Sequence, residues 1–234
     1  YYMIMKIFSL ENDIIFSEEC INVLQIQDKK LFANVINSLN DNINGIQNTK
    51  ERIIILDNDT EIKMEKEALM VIDLFNIDFN QKKIQSALYN KIEKIYKQEF
   101  ERMSEFQTLF QKLQLNVLDV FNEFPFEFNY KDSIGIQEYL KLLGLKISNN
   151  KGEIIDKIFS LIDAVEYLSV AKLLIFVNLK LYLSDDELNE IYKYAMYKKV
   201  NILLIETGEE KEPIKNEKIL FVDSDYDEIV LYNK

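Results

Sequence analysis

Two aspartate pairs at the ends of apolar runs are the residues best suited to nucleophilic chemistry. Asp57 and Asp59 follow one run, and Asp223 and Asp225 follow another. A carboxylate at such a strand end can attack a phosphoryl group and form an aspartyl-phosphate. Neither pair carries the rest of that motif, since Thr60 stands one residue early and the second pair lies too near the end of the sequence. We therefore favour a polar hairpin turn for the first pair and a solvated strand end for the second.

Carboxylates that could hold a cation occur in two places. Asp223, Asp225 and Asp227 alternate as in a calcium loop, but Glu228 stands where that loop needs glycine. A looser group of acidic side chains follows the middle of the chain: Glu123, Glu127, Asp132 and Glu138. Hard cations prefer oxygen ligands of this kind, although such a composition is more often a solvated surface.

Basic side chains stand in pairs beside predicted turns. The pairs are Lys29 with Lys30, Lys50 with Arg52, and Lys146 with Lys151. Cations beside turns can contact a phosphate backbone, so these six residues are candidate DNA-binding residues. Taken singly, each is an ordinary surface residue.

Several kinds of active site are excluded by missing residue types. The sequence has no histidine, which removes the commonest general base and metal ligand, and Cys20 is the only cysteine. No glycine pattern for holding nucleotide phosphates follows a predicted strand. We therefore expect neither nucleotide turnover nor a catalytic triad, and no enzyme activity.

The composition predicts a folded intracellular protein. Apolar residues make up 48% of the 234 residues, and 28 basic against 40 acidic side chains leave a net charge of -12. No apolar run approaches the roughly 20 residues that cross a bilayer, and no secretory signal is present. A cytoplasmic protein without membrane contact is the expectation, and its acidity argues against DNA adhesion over the whole surface.

The alternation of polar and apolar residues predicts the elements of the N-terminal part. The predicted elements are a hairpin at 6–10 and 14–16, a strand at 21–26, a helix at 30–39, a second hairpin at 52–56 and 60–63, and a helix at 64–75. Residues 82–121 contain neither Gly nor Pro and show apolar residues in steps of three and four. This segment either bends into two helices or projects as one arm.

The C-terminal part predicts parallel strands. Residues 173–177 and 200–205 are continuous apolar runs, and Ser184 with Glu187 has the spacing of a helix capping box. Residues 173–205 therefore form a predicted β-α-β unit. Helices are also predicted at 136–143 and 153–168, and edge strands at 219–222 and 228–232.

This order of segments resembles the small adaptation protein of type II-A CRISPR systems, the Csn-two family. The likeness rests on residues 67–78 (EALMVIDLFNID), 136–147 (IQEYLKLLGLKI) and 173–178 (LLIFVN), and on the capped helix and strand that follow. It covers most of the chain after Met5.

The resemblance implies a fold, an assembly and a ligand. Expected are an α/β head with a P-loop-kinase-like core that lacks a working P-loop, an inserted all-α leg of long helices, and a ring-shaped homotetramer. Such a ring binds double-stranded DNA, preferentially linear ends and without sequence preference, and acts in spacer acquisition and antiviral defence with the CRISPR integrase and effector nuclease. Calcium ions, Ca2+, are implied as a stabilising cofactor.

The same resemblance implies a position for calcium. The family's acidic cluster corresponds to Glu123, Glu127, Asn129, Asp132 and Glu138, with Lys131 among them. An amide oxygen can still bind calcium, whereas an ammonium group cannot. The implied site is therefore weakened at residue 131.

The predicted organisation is an α/β head at 1–80 and 131–234 with a helical leg at 81–130, and residues 148–170 are open to either part. Two other functions remain open at this point. One is a helical scaffold that binds only proteins, and the other is a vestigial phosphatase or kinase-like enzyme. A duplex-binding assay separates the DNA-binding ring from the scaffold.

Overall fold

The computed structural model describes residues 3–46, 49–148 and 152–233, and the chain divides into two compact units. The sheet unit comprises Tyr1–Asp78 and Asn149–Lys234, and the helical unit comprises Phe79–Ser148. A mixed α/β fold is thus present, as the sequence predicts. Residues 131–148, assigned to the head in the sequence analysis, lie in the helical unit, and residues 152–168 lie in the sheet unit.

Ten strands lie in the described part of the sheet unit. They are β1 (Met3–Ile7), β2 (Ile14–Phe16), β3 (Ile21–Ile26), β4 (Ile53–Asp57), β5 (Thr60–Ile62), β6 (Ala68–Val71), β7 (Leu173–Val177), β8 (Asn201–Thr207), β9 (Glu217–Val222) and β10 (Glu228–Asn233). The helices of this unit are α1 (Lys29–Ile43), α2 (Met64–Glu67), α6 (Ile154–Leu168) and α7 (Asp185–Tyr197). Both predicted hairpins and the strand at Ile21–Ile26 are present, but the first strand of the first hairpin is Met3–Ile7 rather than the predicted 6–10.

The strands form two sheets. Antiparallel strands in the order β2-β1-β4-β5 make the smaller sheet. The larger sheet has the order β10-β9-β3-β8-β7-β6, and its pairs are parallel except for β10 with β9. The pairing of β7 with β8 confirms the predicted parallel β-α-β unit.

One apolar core joins the two sheets and α1. Met5 of β1, Leu24 of β3, Val35 of α1 and Leu203 of β8 all belong to it and are fully shielded from solvent or nearly so. The continuous apolar runs at 173–177 and 200–205 are explained by this burial, because β7 is buried along its whole length and β8 is buried at all but its two end residues. The predicted capping box before α7 is also present, with the Ser184 amide donating to Glu187 Oε2 at 2.8 Å.

The helical unit contains α3 (Lys82–Gln98), α4 (Phe100–Phe121) and α5 (Ile136–Leu142). The apolar segment at 82–121 bends into two helices, because Glu99 takes an extended conformation between α3 and α4. This bend lets Met103 and Phe106 pack beside Tyr89 of α3 and Leu140 of α5. Among described residues, α4 has no buried side chain.

Two sequence predictions about elements are wrong. The helix predicted at 64–75 ends at Glu67, and Ala68–Val71 forms β6 instead, paired in parallel with β7. Pairing at the sheet edge overrides the helical preference of these residues, because ladder hydrogen bonds and burial outweigh local propensity. The strand at Glu217–Val222 is not an edge strand, since it pairs with both β3 and β10.

Candidate nucleic-acid interface

Lys29 and Lys30 lie in the first turn of α1, directly after the strand β3. Asp28 caps this helix, and its carboxylate accepts a hydrogen bond from the amide of Leu31 at 2.6 Å. Both lysines are exposed. Cations at a helix N-terminus oppose the helix dipole, so their position is not explained by helix stability. They are available to an anionic partner.

The same turn disfavours a bound nucleotide. Gln27 and Asp28 connect β3 to α1, and no glycine lies between strand and helix. In a phosphate-binding turn the backbone amides at the helix start point at the anion. The Asp28 carboxylate already accepts one of these amides and would repel a phosphate. This arrangement agrees with the missing phosphate-binding glycines.

Lys50 and Arg52 lie before β4, and both are exposed. The Arg52 guanidinium carbon lies 4.3 Å from the centre of the Phe8 ring, and the amide between the two basic residues, that of Glu51, donates to Ser38 Oγ at 2.9 Å. Ser38 is nine residues beyond Lys29 on α1, which corresponds to about 14 Å along the helix axis. The two basic pairs therefore belong to one unit but form separate groups.

The remaining basic candidates are Lys146 and Lys151. Lys146 is exposed in the helical unit, where its neighbour Ile147 exchanges hydrogen bonds with the Asn80 side chain at 2.8 and 2.9 Å. Lys151 lies outside the described residues. Five of the six predicted DNA-binding residues are therefore described by the structure, and all five are exposed.

The acidic candidates for calcium do not converge. Glu123, Glu127, Asn129 and Asp132 are exposed in the segment between α4 and α5. Among the described residues, no three His, Cys, Asp or Glu side chains are grouped so that they could hold a metal ion. The set as arranged does not fit a calcium ion, and the predicted site stays a prediction.

Glu138 is the candidate with the best-defined partners. Its Oε1 lies 2.6 Å from Lys131 Nζ, and its Oε2 accepts the Gly135 amide at 3.1 Å. The hydrogen bond from Lys131, followed by that from Gly135, holds the pKa of Glu138 below its usual value. An ammonium group thus occupies the position at this carboxylate that a cation would need.

The two aspartate pairs are structural. Asp57 lies 2.8 Å from Lys172 Nζ, and the turn after it has positive φ at Asn58 and Asp59. The Asp223 carboxylate accepts the amides of Asp225 and Asp227 at 2.8 and 2.9 Å. Both interpretations favoured by the sequence, a polar hairpin turn and a strand-end loop, are confirmed.

Sequence reasoning missed a buried polar network in the sheet unit. Lys180 Nζ lies 2.8 and 2.9 Å from the two oxygens of Glu217, which also accepts Tyr192 Oη at 2.6 Å and the Ile214 amide at 3.0 Å. Both ends of the ion pair are buried. Groups this deeply buried are out of reach of a substrate, and each charge is compensated by its hydrogen-bonded partners. A charged residue beginning the apolar run at 217–222 is the only sequence signal for it.

Glu206 lies beside this network, and its Oε1 accepts the Lys180 amide at 3.1 Å. Burial, which outweighs the opposing interactions with Lys180, raises the pKa of Glu206 to about 7. Burial likewise raises the pKa of Tyr192 well above its usual value, with Glu217 adding to the effect.

The fold and its candidate residues define an α/β protein with an inserted helical unit, in which the motifs that suggested catalysis have structural roles. None of the helices in the described part of the chain has the length and apolar composition needed to span a bilayer. The family model of the CRISPR-associated protein Cas_Csn2 matches residues 45–226. The chain belongs to this family of CRISPR-associated proteins.

Individual proteins agree with this assignment. The CRISPR-associated protein Csn2 of Streptococcus agalactiae is 24% identical over 190 residues, which span 79% of this chain and 80% of that protein. Csn2 of Enterococcus faecalis is 29% identical over 144 residues, or 60% of this chain and 64% of that protein. The crystal structure of Stu0660 of Streptococcus thermophilus superposes with a TM-score of 0.61 at 13% identity, covering 100% of this chain and 77% of that chain, and this likeness shows the fold.

Proposed function

We propose that this protein is a non-catalytic ring, a homotetramer, that binds the ends of double-stranded DNA in the cytoplasm during CRISPR spacer acquisition. The observation that carries the proposal is the exposure of four basic side chains in a member of a CRISPR-associated family: Lys29, Lys30, Lys50 and Arg52. The net charge of the whole chain is -12. Cations that are separate on one chain can line a common path when several copies assemble. Phosphate contacts of this kind give affinity without reading sequence.

The turn between β3 and α1 supports a binding role rather than nucleotide chemistry. The turn between β3 and α1 offers a carboxylate where a P-loop offers amides. We infer a P-loop-kinase-like core that has lost its phosphate site. The strand-end aspartates are held by Lys172 and by backbone amides, so a vestigial phosphatase gains no support from them.

A surface for self-association lies on α4. Leu109, Leu113, Val117 and Val120 form one stripe along this helix, which we call the α4 stripe, and each is about half exposed or more. The stripe continues the side of α4 on which Met103 and Phe106 pack, but it extends past that small core. An apolar surface of this length is unfavourable in water, and a second copy of the chain would cover it.

The proposal includes two further partners and a cofactor on the basis of the family likeness. The integrase and the effector nuclease of the CRISPR system are the proposed protein partners. Calcium is a proposed ligand only if it displaces Lys131 from Glu138, and no step in DNA binding depends on it.

Competition between linear and closed circular duplexes of one sequence tests the ring. Linear DNA should bind with an affinity that falls steeply as salt rises, and the closed circle should compete poorly because it offers no end. Lys29→Glu with Lys30→Glu should weaken binding about tenfold or more, because it reverses two phosphate contacts. Lys193→Glu with Lys215→Glu, two exposed lysines elsewhere in the sheet unit, is the matched control.

The outcomes separate the alternatives. Equal competition by both forms would exclude entry from an end but leave DNA binding in place. No binding to either form would favour a scaffold that binds only proteins. The specific observation for a scaffold is an aromatic cluster in which Phe124 and Phe128 are exposed and Phe121 is half-buried.

A further inference from the structure

The helix α3 is strongly basic in an acidic protein. It contains a single acidic residue, Glu93, and five lysines: Lys82, Lys83, Lys91, Lys94 and Lys97. Five positive charges against one negative give this helix a net charge of +4, whereas the whole chain has -12. The neighbouring helix α4 has no such excess, with Arg102 and Lys112 against Glu101, Glu105 and Asp119.

The lysines of α3 share one side of the helix. At about 100° per residue, Lys83, Lys91, Lys94 and Lys97 fall within an arc of roughly 120°, which we call the α3 basic face. Leu88, Tyr89 and Ile92 point to the opposite side, where they pack in the core of the helical unit. The apolar side of this helix predicted its secondary structure from the sequence, whereas its basic side was not among the predicted DNA-binding residues.

The α3 basic face is accessible. Lys94 and Lys97 are exposed, and Lys83 and Lys91 are half-buried. Glu93 is held beside the face, where its carboxylate lies 2.9 Å from Lys97 Nζ and accepts a hydrogen bond from Gln137 Nε2 at 2.5 Å. The one acidic group of the helix is therefore engaged at the flank rather than among the other lysines.

Helix stability explains only part of this arrangement. Lys97 pairs with Glu93 and complements the helix dipole in the last turn. Lys91 and Lys94 repel each other, however, and Lys82 and Lys83 oppose the dipole at the N-terminus. Lysines three residues apart rise about 4.5 Å along the axis, and the face from Lys83 to Lys97 spans about 21 Å. A duplex presents one negative charge per roughly 1.7 Å of its axis, so several phosphates lie within reach of a surface of this length.

We propose that the α3 basic face is a contact surface for the phosphate backbone of duplex DNA. This inference rests on the proposed function and adds a second surface, on the helical unit, to the basic residues of the sheet unit. Contacts between lysine and phosphate oxygens carry no information about the bases, so the proposed contact is independent of sequence.

A charge-neutral variant of the full chain tests the surface. Lys91→Gln, Lys94→Gln and Lys97→Gln together keep helix-forming side chains while removing three charges. The affinity for a linear duplex should fall at least about tenfold, and the slope of log K against log salt should shrink by about 2.7, since each phosphate contact contributes about 0.9. The matched control removes three exposed lysines elsewhere: Lys112→Gln, Lys141→Gln and Lys215→Gln.

The control separates the effect of a local contact from that of net charge. It should change the affinity less than about threefold and the slope of log K against log salt by less than about 0.9, the value of one phosphate contact. Replacing the same three α3 lysines by arginine should retain binding, because the positive charges remain, and circular dichroism of the glutamine variant should match that of wild type, which shows that it is folded. Equal behaviour of the α3 and control variants, with wild type binding normally, would overturn the inference and leave the proposed function standing. Absence of wild-type binding would overturn both.

Discussion

The ammonium group of Lys180 and the carboxylate of Glu217 form an ion pair at 2.8 Å from which solvent is almost excluded, with 8% and 0% of the two side chains exposed. Tyr192 and the Ile214 amide supply further hydrogen bonds to the same carboxylate. Charges at this depth are tolerated because each has its partner, and the removal of one partner leaves the other uncompensated.

Lys180→Met should therefore destabilise the protein by about 3 to 5 kcal/mol. Adding Glu217→Gln should recover part of this loss, because the orphaned charge disappears. Urea unfolding followed by circular dichroism measures both values. As a control, Lys199→Met removes an exposed lysine 3.7 Å from Glu18 and should cost less than about 1 kcal/mol. Equal losses of stability for Lys180→Met and the control would contradict the idea that burial makes the loss of one partner costly.

Glu206 predicts a specific loss of stability with rising pH. Its folded-state pKa of about 7 exceeds the ordinary value of 4.5. The folded protein thus binds the proton more tightly than the unfolded chain, and this contribution is complete below pH 4.5 and lost as pH rises toward 7. The difference corresponds to roughly 3 kcal/mol as an upper bound.

The variant Glu206→Gln isolates this effect because it cannot ionise yet still accepts the Lys180 amide. The free energy of unfolding of this variant minus that of wild type should increase between pH 5 and pH 7.5. The neighbouring charged and titratable side chains are the same in both proteins: Lys180, Lys211, Glu217 and Tyr192. Parallel free energies of unfolding for the two proteins across this range would show that Glu206 does not titrate there.

Calcium binding near Glu138 should be limited by Lys131. An ion that binds only the folded protein raises stability by about 2.7 kcal/mol at 100 times its dissociation constant. Because the ammonium group holds Glu138 at 2.6 Å, Lys131→Met should enlarge the rise in melting temperature caused by calcium. Asp132→Ala with Glu138→Ala should abolish the rise, and magnesium is the control ion. A calcium response that Lys131→Met leaves unchanged would place any metal elsewhere.

The α4 stripe should determine the oligomeric state. Leu113→Glu introduces a charge into the stripe and should shift the protein from tetramer toward smaller species, measured by light scattering at micromolar concentration. Leu115→Glu is the matched control, because Leu115 has the same exposed fraction of 63% but points away from the stripe. If both substitutions act alike, the stripe is not the contact surface.

The local patterns of the sequence determined much of the fold. The apolar runs at Leu173–Val177 and in β8, the capping box at Ser184 and the glycine after α5 are short-range signals, and each element appears as expected. The order of the segments along the chain also indicated membership of the family, although no single signature motif did.

Tertiary structure alone decided the remainder, because it depends on partners distant in the chain. Ala68–Val71 became a strand since β7 offered its free edge, more than 100 residues away. Lys131 met Glu138, and Lys180 met Glu217, through folding that no local pattern encodes. The α3 basic face became recognisable once packing had fixed which side of the helix is buried, because a row of lysines indicates a surface only when its opposite side has a core.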